Sequence, residues 1–440
     1  MVLRLLSKTV IHAYESTALY HELYKGLDPE RVISPSDLER LPFVDKHLIK
    51  EAGARAVASG LNCVAIQNTS GTSGELLFLQ RSQEEFSFIQ AFYQELIRRI
   101  APTGPRAILL LLDVPGHGTP TPVPTTNFVL QSSIVSKFGA ARTEQILKNR
   151  YDMEGIEPHV SSLAGSLSQI IILTNYLESE NSLLPGLEIK RISVTSDYMS
   201  PAIRRRLARY WRCDNIVDRY SLSEMFGGAS SCTQCGGFHF DPILVPELVT
   251  LGSLKVTRSG SGRLALTSLY PFVQMQPLIR YLTDDVFELR PSPCVASSYF
   301  YLGRVGHCLI DTFGSQDVLI SGSALYDTLD EYPFVVRQPA SELAGQGRTS
   351  TGKPFVRGSQ SFKDGRRLVV LAVAVHPDAL FSAHEKRKHE EGVRTTLLRR
   401  SPHMRALVSG GEASLAVEFV TMDDQALKTF DRQAVIWTSA

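Results

Sequence analysis

Between about residues 60 and 300, short apolar runs alternate with amphipathic stretches. The runs at 107–113, 170–177, 188–194 and 263–268 have the length of buried strands. Residues 84–100 instead place Phe88, Phe92, Leu96 and Ile100 at i, i+4 spacing, the apolar stripe of a helix. A chain that alternates these two periods buries both kinds of surface by laying helices across a sheet. This predicts an α/β fold. No run reaches the ~18 residues needed to cross a bilayer.

The flanking regions read differently. The first 60 residues mix polar and apolar positions at helical spacing, and Pro35-Ser36-Asp37 offers a cap. After Arg304, a Gly/Ser-rich passage leads to an apolar run at 368–375, a charged helix candidate at 385–400 and a strand candidate at 414–420. We therefore expect a large unit over 1–303 and a small α+β unit over 304–440. The basic run Lys386-Arg387-Lys388 fits a solvated helix face.

Composition limits the partners. With 46 basic against 45 acidic residues the net charge is +1, which gives no field for gathering nucleic acid or an anionic membrane. The N-terminus, Met1-Val2-Leu3-Arg4-Leu5-Leu6-Ser7-Lys8, lacks a long apolar stretch with a cleavage site, so a cytoplasmic protein with reduced thiols is expected.

The most informative local segment is Asn68-Thr69-Ser70-Gly71-Thr72-Ser73-Gly74-Glu75, followed by the strand-like Leu76-Leu77-Phe78-Leu79. Two glycines let the backbone turn tightly with N–H groups inward, and four hydroxyls add donors, which suits a phosphate chain. By itself the segment serves equally as a hydroxyl-rich hairpin turn. It is not a Walker loop, because no Gly-Lys-Ser/Thr ends it.

Three further segments follow it in order: Asp218-Arg219-Tyr220-Ser221-Leu222-Ser223-Glu224-Met225-Phe226-Gly227-Gly228, then Pro277-Leu278-Ile279-Arg280-Tyr281-Leu282-Thr283-Asp284-Asp285, then Tyr301-Leu302-Gly303-Arg304-Val305. Together the four resemble the adenylate-forming (AMP-binding) superfamily, specifically its phenylacetate–CoA ligase-like branch. Leu41-Pro42-Phe43-Val44-Asp45-Lys46 is similar to that branch's N-terminal signature. The resemblance implies a large adenylate-forming α/β domain with mixed sheets and flanking helices, plus a small mobile α+β C-terminal domain. It also implies a two-step reaction: a carboxylate attacks the α-phosphate of ATP, forming an acyl-adenylate, and a thiol or amine then takes the acyl group. The acid would be small and hydrophobic, aromatic in the simplest reading, and relatives are often homodimers.

Carried over, the resemblance assigns Thr69, Ser70, Gly71, Thr72, Ser73 and Gly74 to the β- and γ-phosphates. Tyr220 would stack on adenine, with Asp197 and Asp218 in the same nucleotide site. Ser223 would lie by the α-phosphate, and Glu224 would ligate Mg²⁺, a hard cation suited to carboxylate oxygen. Asp285 would bind the ribose hydroxyls, and Arg304 would contact ribose or phosphate.

Several family positions are altered. Asp197 stands where the branch usually has Gly-Glu, Leu282 replaces a second arginine, and Gly306-His307 replaces an acidic pair. Gly306 falls at the residue about which the C-terminal domain rotates, and glycine permits that change. His307 reads as a general base or as a structural loop residue. The best register puts Gln433 where the family has a lysine that contacts the α-phosphate, with Lys428 and Arg432 as cations from a shifted register. The family's basic loop that guides CoA is not recognisable after Arg304. CoA ligase, amide synthase and degenerate nucleotide-binding protein all remain open.

One cluster stands apart. Cys232, Cys235 and His239 fall within eight residues, and Cys294 lies in a distant loop. Such N/S ligands at such spacing suit a structural, tetrahedral Zn²⁺; unconnected thiols near a turn are the alternative. Gly236 and Gly237 would let the turn fold back so that His239 reaches the metal.

Overall fold

The computed structural model describes residues 2–32, 34–69, 76–100, 107–111, 128–184, 186–312, 314–337, 353–379, 382–421 and 435–439. A 12-stranded sheet carries most of them. One half is parallel, in the spatial order Phe128–Ser132, Ala107–Leu111, Ser162–Ser166, Arg191–Thr195, Ile216–Tyr220. The helices Lys137–Lys148, Leu167–Ser179 and Pro201–Trp211 connect these strands. Strand order reverses between Ala107–Leu111 and Ser162–Ser166, and a crevice outside the carboxyl ends of such strands is where α/β sheets bind ligands.

The other half is antiparallel and runs through Ala229–Ser231, Phe238–Phe240, Ser297–Arg304, Tyr281–Pro291, Gly260–Ser268, Leu244–Val249 and Val256–Thr257. The expected α/β class with mixed sheets is thus observed, and residues 84–100 lie within the helix Gln83–Ile100.

Two local expectations need correction. Residues 170–177 form no strand but the middle of the helix Leu167–Ser179. Ser166 accepts from the Gln169 N–H while the Gln169 side chain accepts from the Ser166 N–H, so a capping box starts the helix. Residues 35–37 lead into the 3-10 turn Asp37–Arg40, in which Ser36 makes no capping bond. Asp37 instead accepts from Ser34.

The N-terminal helices Val2–Ser16, Ala18–Leu23 and Lys46–Ala52 share one core with the antiparallel half, joining Leu6, Val10 and Tyr20 to Leu264 and Phe287. Arg280 ties this region to the sheet. Its buried guanidinium meets Glu247 at 3.1 and 3.0 Å, donates to the Leu41 carbonyl at 2.6 Å and lies 3.8 Å over the Phe43 ring. Val44 pairs with Tyr281 in a parallel bridge. The N-terminal signature therefore docks directly on the Ile279-Arg280-Tyr281 segment.

A 4-stranded sheet follows, in the order Ala413–Val420, Arg366–Ala374, Val356–Lys363, Val435–Ser439. With the helices Gly322–Leu329, Ala383–Arg400 and Pro402–Ser409 it encloses a separate core that includes Leu325, Leu371, Leu397, Leu415 and Phe419. Lys386, Arg387 and Lys388 are exposed. This unit meets the large sheet where the Tyr198 hydroxyl donates to Asp327 at 2.9 Å and Arg205 pairs with Glu331 at 2.7 Å. Among the described residues, no helix is long and apolar enough to cross a membrane.

Candidate functional site

The carboxyl ends of the parallel strands converge on the junction with the antiparallel half, and the motif residues gather there. The strand Ile216–Tyr220 delivers Tyr220, whose hydroxyl donates to Asp285 Oδ2 at 2.8 Å. The Tyr301 hydroxyl donates to the other carboxylate oxygen at 3.4 Å, and Arg304 Nε lies 3.7 Å from it. Asp285 and Arg304 are direct partners in adjacent antiparallel strands, so sheet register fixes this pairing. Burial raises the pKa of the Asp285 carboxyl, against the pull of Arg304 and the Tyr220 hydroxyl. Tyr220 is half-buried, with its ring edge-on to Phe287 at 5.1 Å.

Ser223 and Glu224 occupy the turn after that strand. The backbone then returns so closely that a Cβ on Gly228 would stand 2.1 Å from the Tyr220 carbonyl oxygen, which leaves room only for glycine. The Tyr281 hydroxyl donates to Glu224 Oε1 at 3.1 Å. A half-exposed carboxylate steered in this way is a hard oxygen donor of the kind that could hold Mg²⁺.

Arg81 holds the same turn from below. Fully buried on the strand Phe78–Ser82, it donates to the Glu224 carbonyl at 2.7 Å and to Gln67 at 3.4 Å, with its guanidinium 4.9 Å from the Phe226 ring centre. It thereby couples the hairpin that carries the glycine loop to the Ser223-Glu224 turn. Sequence reasoning passed over Arg81, although a charged residue between the apolar Leu79 and the helix at 83 is a visible signal. Tyr281 and Tyr301 lie inside the motifs, and their hydroxyls reach the carboxylates of Glu224 and Asp285.

The glycine loop lies between the antiparallel strands Cys63–Asn68 and Phe78–Ser82. Thr69 closes its mouth: the Thr69 N–H donates to the Leu77 carbonyl at 3.0 Å, and Oγ1 accepts from the Leu77 N–H at 3.1 Å. The strand begins at Phe78 rather than at Leu76. Ser70, Gly71, Thr72, Ser73 and Gly74 lie outside the described residues, as do Lys428, Arg432 and Gln433.

Asp197 and Asp218 sit on neighbouring parallel strands or just beyond them. Burial lifts the pKa of the Asp218 carboxyl to about 7, with Arg204 opposing and Asp197 adding to the rise. His307 stands in the 3-10 turn Val305–His307, with Nδ1 3.4 Å from the Tyr326 hydroxyl. Burial, with Lys353 and Arg304 nearby, depresses its pKa to about 3, so it is a neutral imidazole at physiological pH. Gly306 is exposed in that turn, and a Cβ there would meet nothing within 4 Å.

The cysteine–histidine cluster assembles beside the same strands. The ligand atoms of Cys232, Cys235, His239 and Cys294 all lie within 4.8 Å of one another. The Cys232 and Cys294 sulfurs are 3.7 Å apart, and Cys235 Sγ is 3.4 Å from His239 Nε2. Tetrahedral Zn²⁺ with Zn–S of about 2.3 Å places sulfurs roughly 3.8 Å apart, so the donor set fits. Burial opposes ionisation of Cys235, but bonds from Ser298 and the Gly237 N–H outweigh it and bring the thiol down to about 6. Gly236 takes φ +73°, and a Cβ on Gly237 would press on Ser298 at 2.8 Å, as the expected fold-back of this turn requires.

No protein-family model matches the chain, and neither does any curated protein sequence. Solved structures do. A 2-hydroxyisobutyryl-CoA ligase in complex with 2-HIB-AMP and CoA aligns with TM-score 0.68 and 17% identity, over 99% of this chain and 90% of that one. An acyl acid amido synthetase in complex with 2,4-DB aligns with TM-score 0.59 and 12% identity, over 99% and 91%. A benzoate CoA ligase from Burkholderia xenovorans LB400 aligns with TM-score 0.50 and 16% identity, over 89% and 71%. The chain therefore shares its fold with these acyl-CoA ligases and with the amido synthetase.

Proposed function

We propose that the chain is an ATP-dependent ligase that activates a small carboxylic acid as its acyl-adenylate. The observation that carries this reading is the convergence on Asp285 of the Tyr220 and Tyr301 hydroxyls and Arg304, one turn of chain away from Glu224. A carboxylate held at that position by two hydroxyls and a guanidinium would suit the paired hydroxyls of a ribose. Arg304 would supply a cation where negative charge builds on the phosphates, and the resemblance assigns N–H donors there to the glycine loop. Glu224 would hold Mg²⁺, which draws charge from the phosphoryl oxygens. Asp197, Asp218 and Ser223 complete the nucleotide side.

The acid would lie against Phe226, which packs edge-on to Phe86 at 5.7 Å, so a small hydrophobic or aromatic acid is favoured. The acceptor is CoA in this reading. An amine is the second reading, favoured by the missing basic loop and by the amido synthetase among the similar folds. The unit from about residue 304 onward would be the mobile domain that separates the two half-reactions. Zn²⁺ on Cys232, Cys235, His239 and Cys294 would be structural, since four protein ligands leave no place for water.

Pyrophosphate release from ATP with a panel of acids tests the activation step. Addition of CoA or of amines then distinguishes thioester from amide formation. A folded protein that binds ATP yet releases no pyrophosphate with any acid would instead be a nucleotide-binding protein without ligase activity.

A further inference from the structure

The site is rich in carboxylates. Asp197, Asp218, Glu224 and Asp285 all border it, and a polyphosphate entering among them meets like charge. In the proposed function Arg304 and Mg²⁺ on Glu224 offset part of this, and a further cation facing the same carboxylates would add to them.

A cleft opens where the two sheets meet. One wall consists of Asp197 and Tyr198 after a parallel strand, with Leu167 and Ser168 in the first turn of the buried helix. The facing wall carries Tyr326, Lys353 and Arg337, whose guanidinium is already paired with Asp330 at 2.5 Å. The backbone at Lys353 is well anchored. Pro354, the next residue, bridges Arg337, and the strand Val356–Lys363 begins two residues later with the fully buried Val356. Tyr326 sits on the helix Gly322–Leu329, and the neighbouring Asp327 accepts from the Tyr198 hydroxyl, so this wall is held against the other.

Lys353 is half-buried, and among the described residues no carboxylate forms an ion pair with its ammonium. Its electrostatic neighbours are residues of the nucleotide site: Asp197 and Asp285 favour its charge, while Arg304 opposes it. Burial lowers the pKa of the ammonium more than any of these interactions. A half-buried cation without a paired carboxylate, facing the region between Asp197 and Arg304, is placed to meet an anion that arrives with the ligand.

We propose that Lys353 is a phosphate-contacting residue, the cation that the smaller sheet contributes to the bound nucleotide. The proposal rests on the nucleotide-binding reading above and adds a residue to it. Its position also couples charge to arrangement, because Lys353 reaches the cleft only while the smaller sheet is docked on Tyr198.

Calorimetric titration with Mg·ATP and, separately, with adenosine tests this on the full chain. Lys353→Gln and Lys353→Met should weaken Mg·ATP binding roughly ten- to hundredfold, as loss of one charge-assisted contact predicts, and leave adenosine within about twofold. Lys353→Arg should retain most of the ATP affinity. Equal ATP affinity in wild type and both neutral variants, or equal weakening of ATP and adenosine, overturns the assignment while leaving the nucleotide reading intact. A wild-type protein that binds neither ligand overturns both.

Discussion

Arg280→Met is the sharpest test of how the motifs are held together. The Arg280 side chain is 3% exposed and that of Glu247 is 6% exposed, with two nitrogen–oxygen contacts of 3.1 and 3.0 Å between them. Methionine preserves much of the volume but removes the charge, the bond to the Leu41 carbonyl and the contact with Phe43. What remains is a buried carboxylate without a partner, and breaking such a pair costs about 3–5 kcal/mol. Glu247→Gln/Arg280→Met should recover at least half of that loss, because the double variant no longer buries a lone charge. Urea unfolding followed by fluorescence and by circular dichroism gives both values.

The pH dependence has a definite sign. Burial already raises the pKa of the Glu247 carboxyl, and Arg280 restrains the rise. Without Arg280 the folded-state pKa climbs further above the unfolded one. The protonated form is then the one that folds well, so stability is present at low pH and lost as pH rises through the folded value. The deficit of Arg280→Met should therefore shrink on acidification. A loss below about 1 kcal/mol at neutral pH would refute the reasoning, since the pair would then matter no more than an exposed one.

Other perturbations address the site itself. Glu224→Ala and Asp285→Ala should each lower acid-dependent pyrophosphate release by about 10²-fold or more, roughly 2.7 kcal/mol of transition-state stabilisation; near-normal turnover in both would remove the assignment. One equivalent of zinc should co-purify, and Cys235→Ser should lose it together with thermal stability, which elemental analysis and melting curves check. His307, held at about 3 against 6.5 in the unfolded chain, leaves the unfolded state binding more protons between those values, so stability falls as pH drops. His307→Gln should remove up to about 2 kcal/mol of the loss between pH 6.5 and 5, and identical acid profiles would show that the imidazole titrates normally.

Much of the site was legible because its chemistry sits in short segments. Asp285 and Arg304 fall in motifs that adjacent strands bring into register, and Cys232, Cys235 and His239 lie within one hairpin. The helix Leu167–Ser179 was misread for a physical reason. Ile170, Ile171, Ile172 and Leu173 are all buried, so the helix has no polar face and its period disappears into a continuous apolar run. β-Branched residues strengthened the strand reading. The capping box at Ser166 and Gln169 was the counter-signal, and it outweighs the run because it satisfies N–H groups that only a helix start leaves open.

Lys353 and Arg81 mark a different limit. Neither belongs to a motif, and no spacing rule leads to them, because each acts across a contact between segments far apart in the chain. Arg81 reaches Glu224 only because the hairpin Cys63–Asn68/Phe78–Ser82 folds beneath the turn. Lys353 faces Asp197 across the cleft because the smaller unit is held against Tyr198, whose hydroxyl bonds to Asp327. A motif therefore records the groups that bind ligand, while the charges that tune them arrive through packing. It follows that the match of Gln433 to a family lysine cannot by itself decide whether the site is short of a cation. The electrostatic requirement is a positive charge at the phosphate, and any element that docks there can meet it.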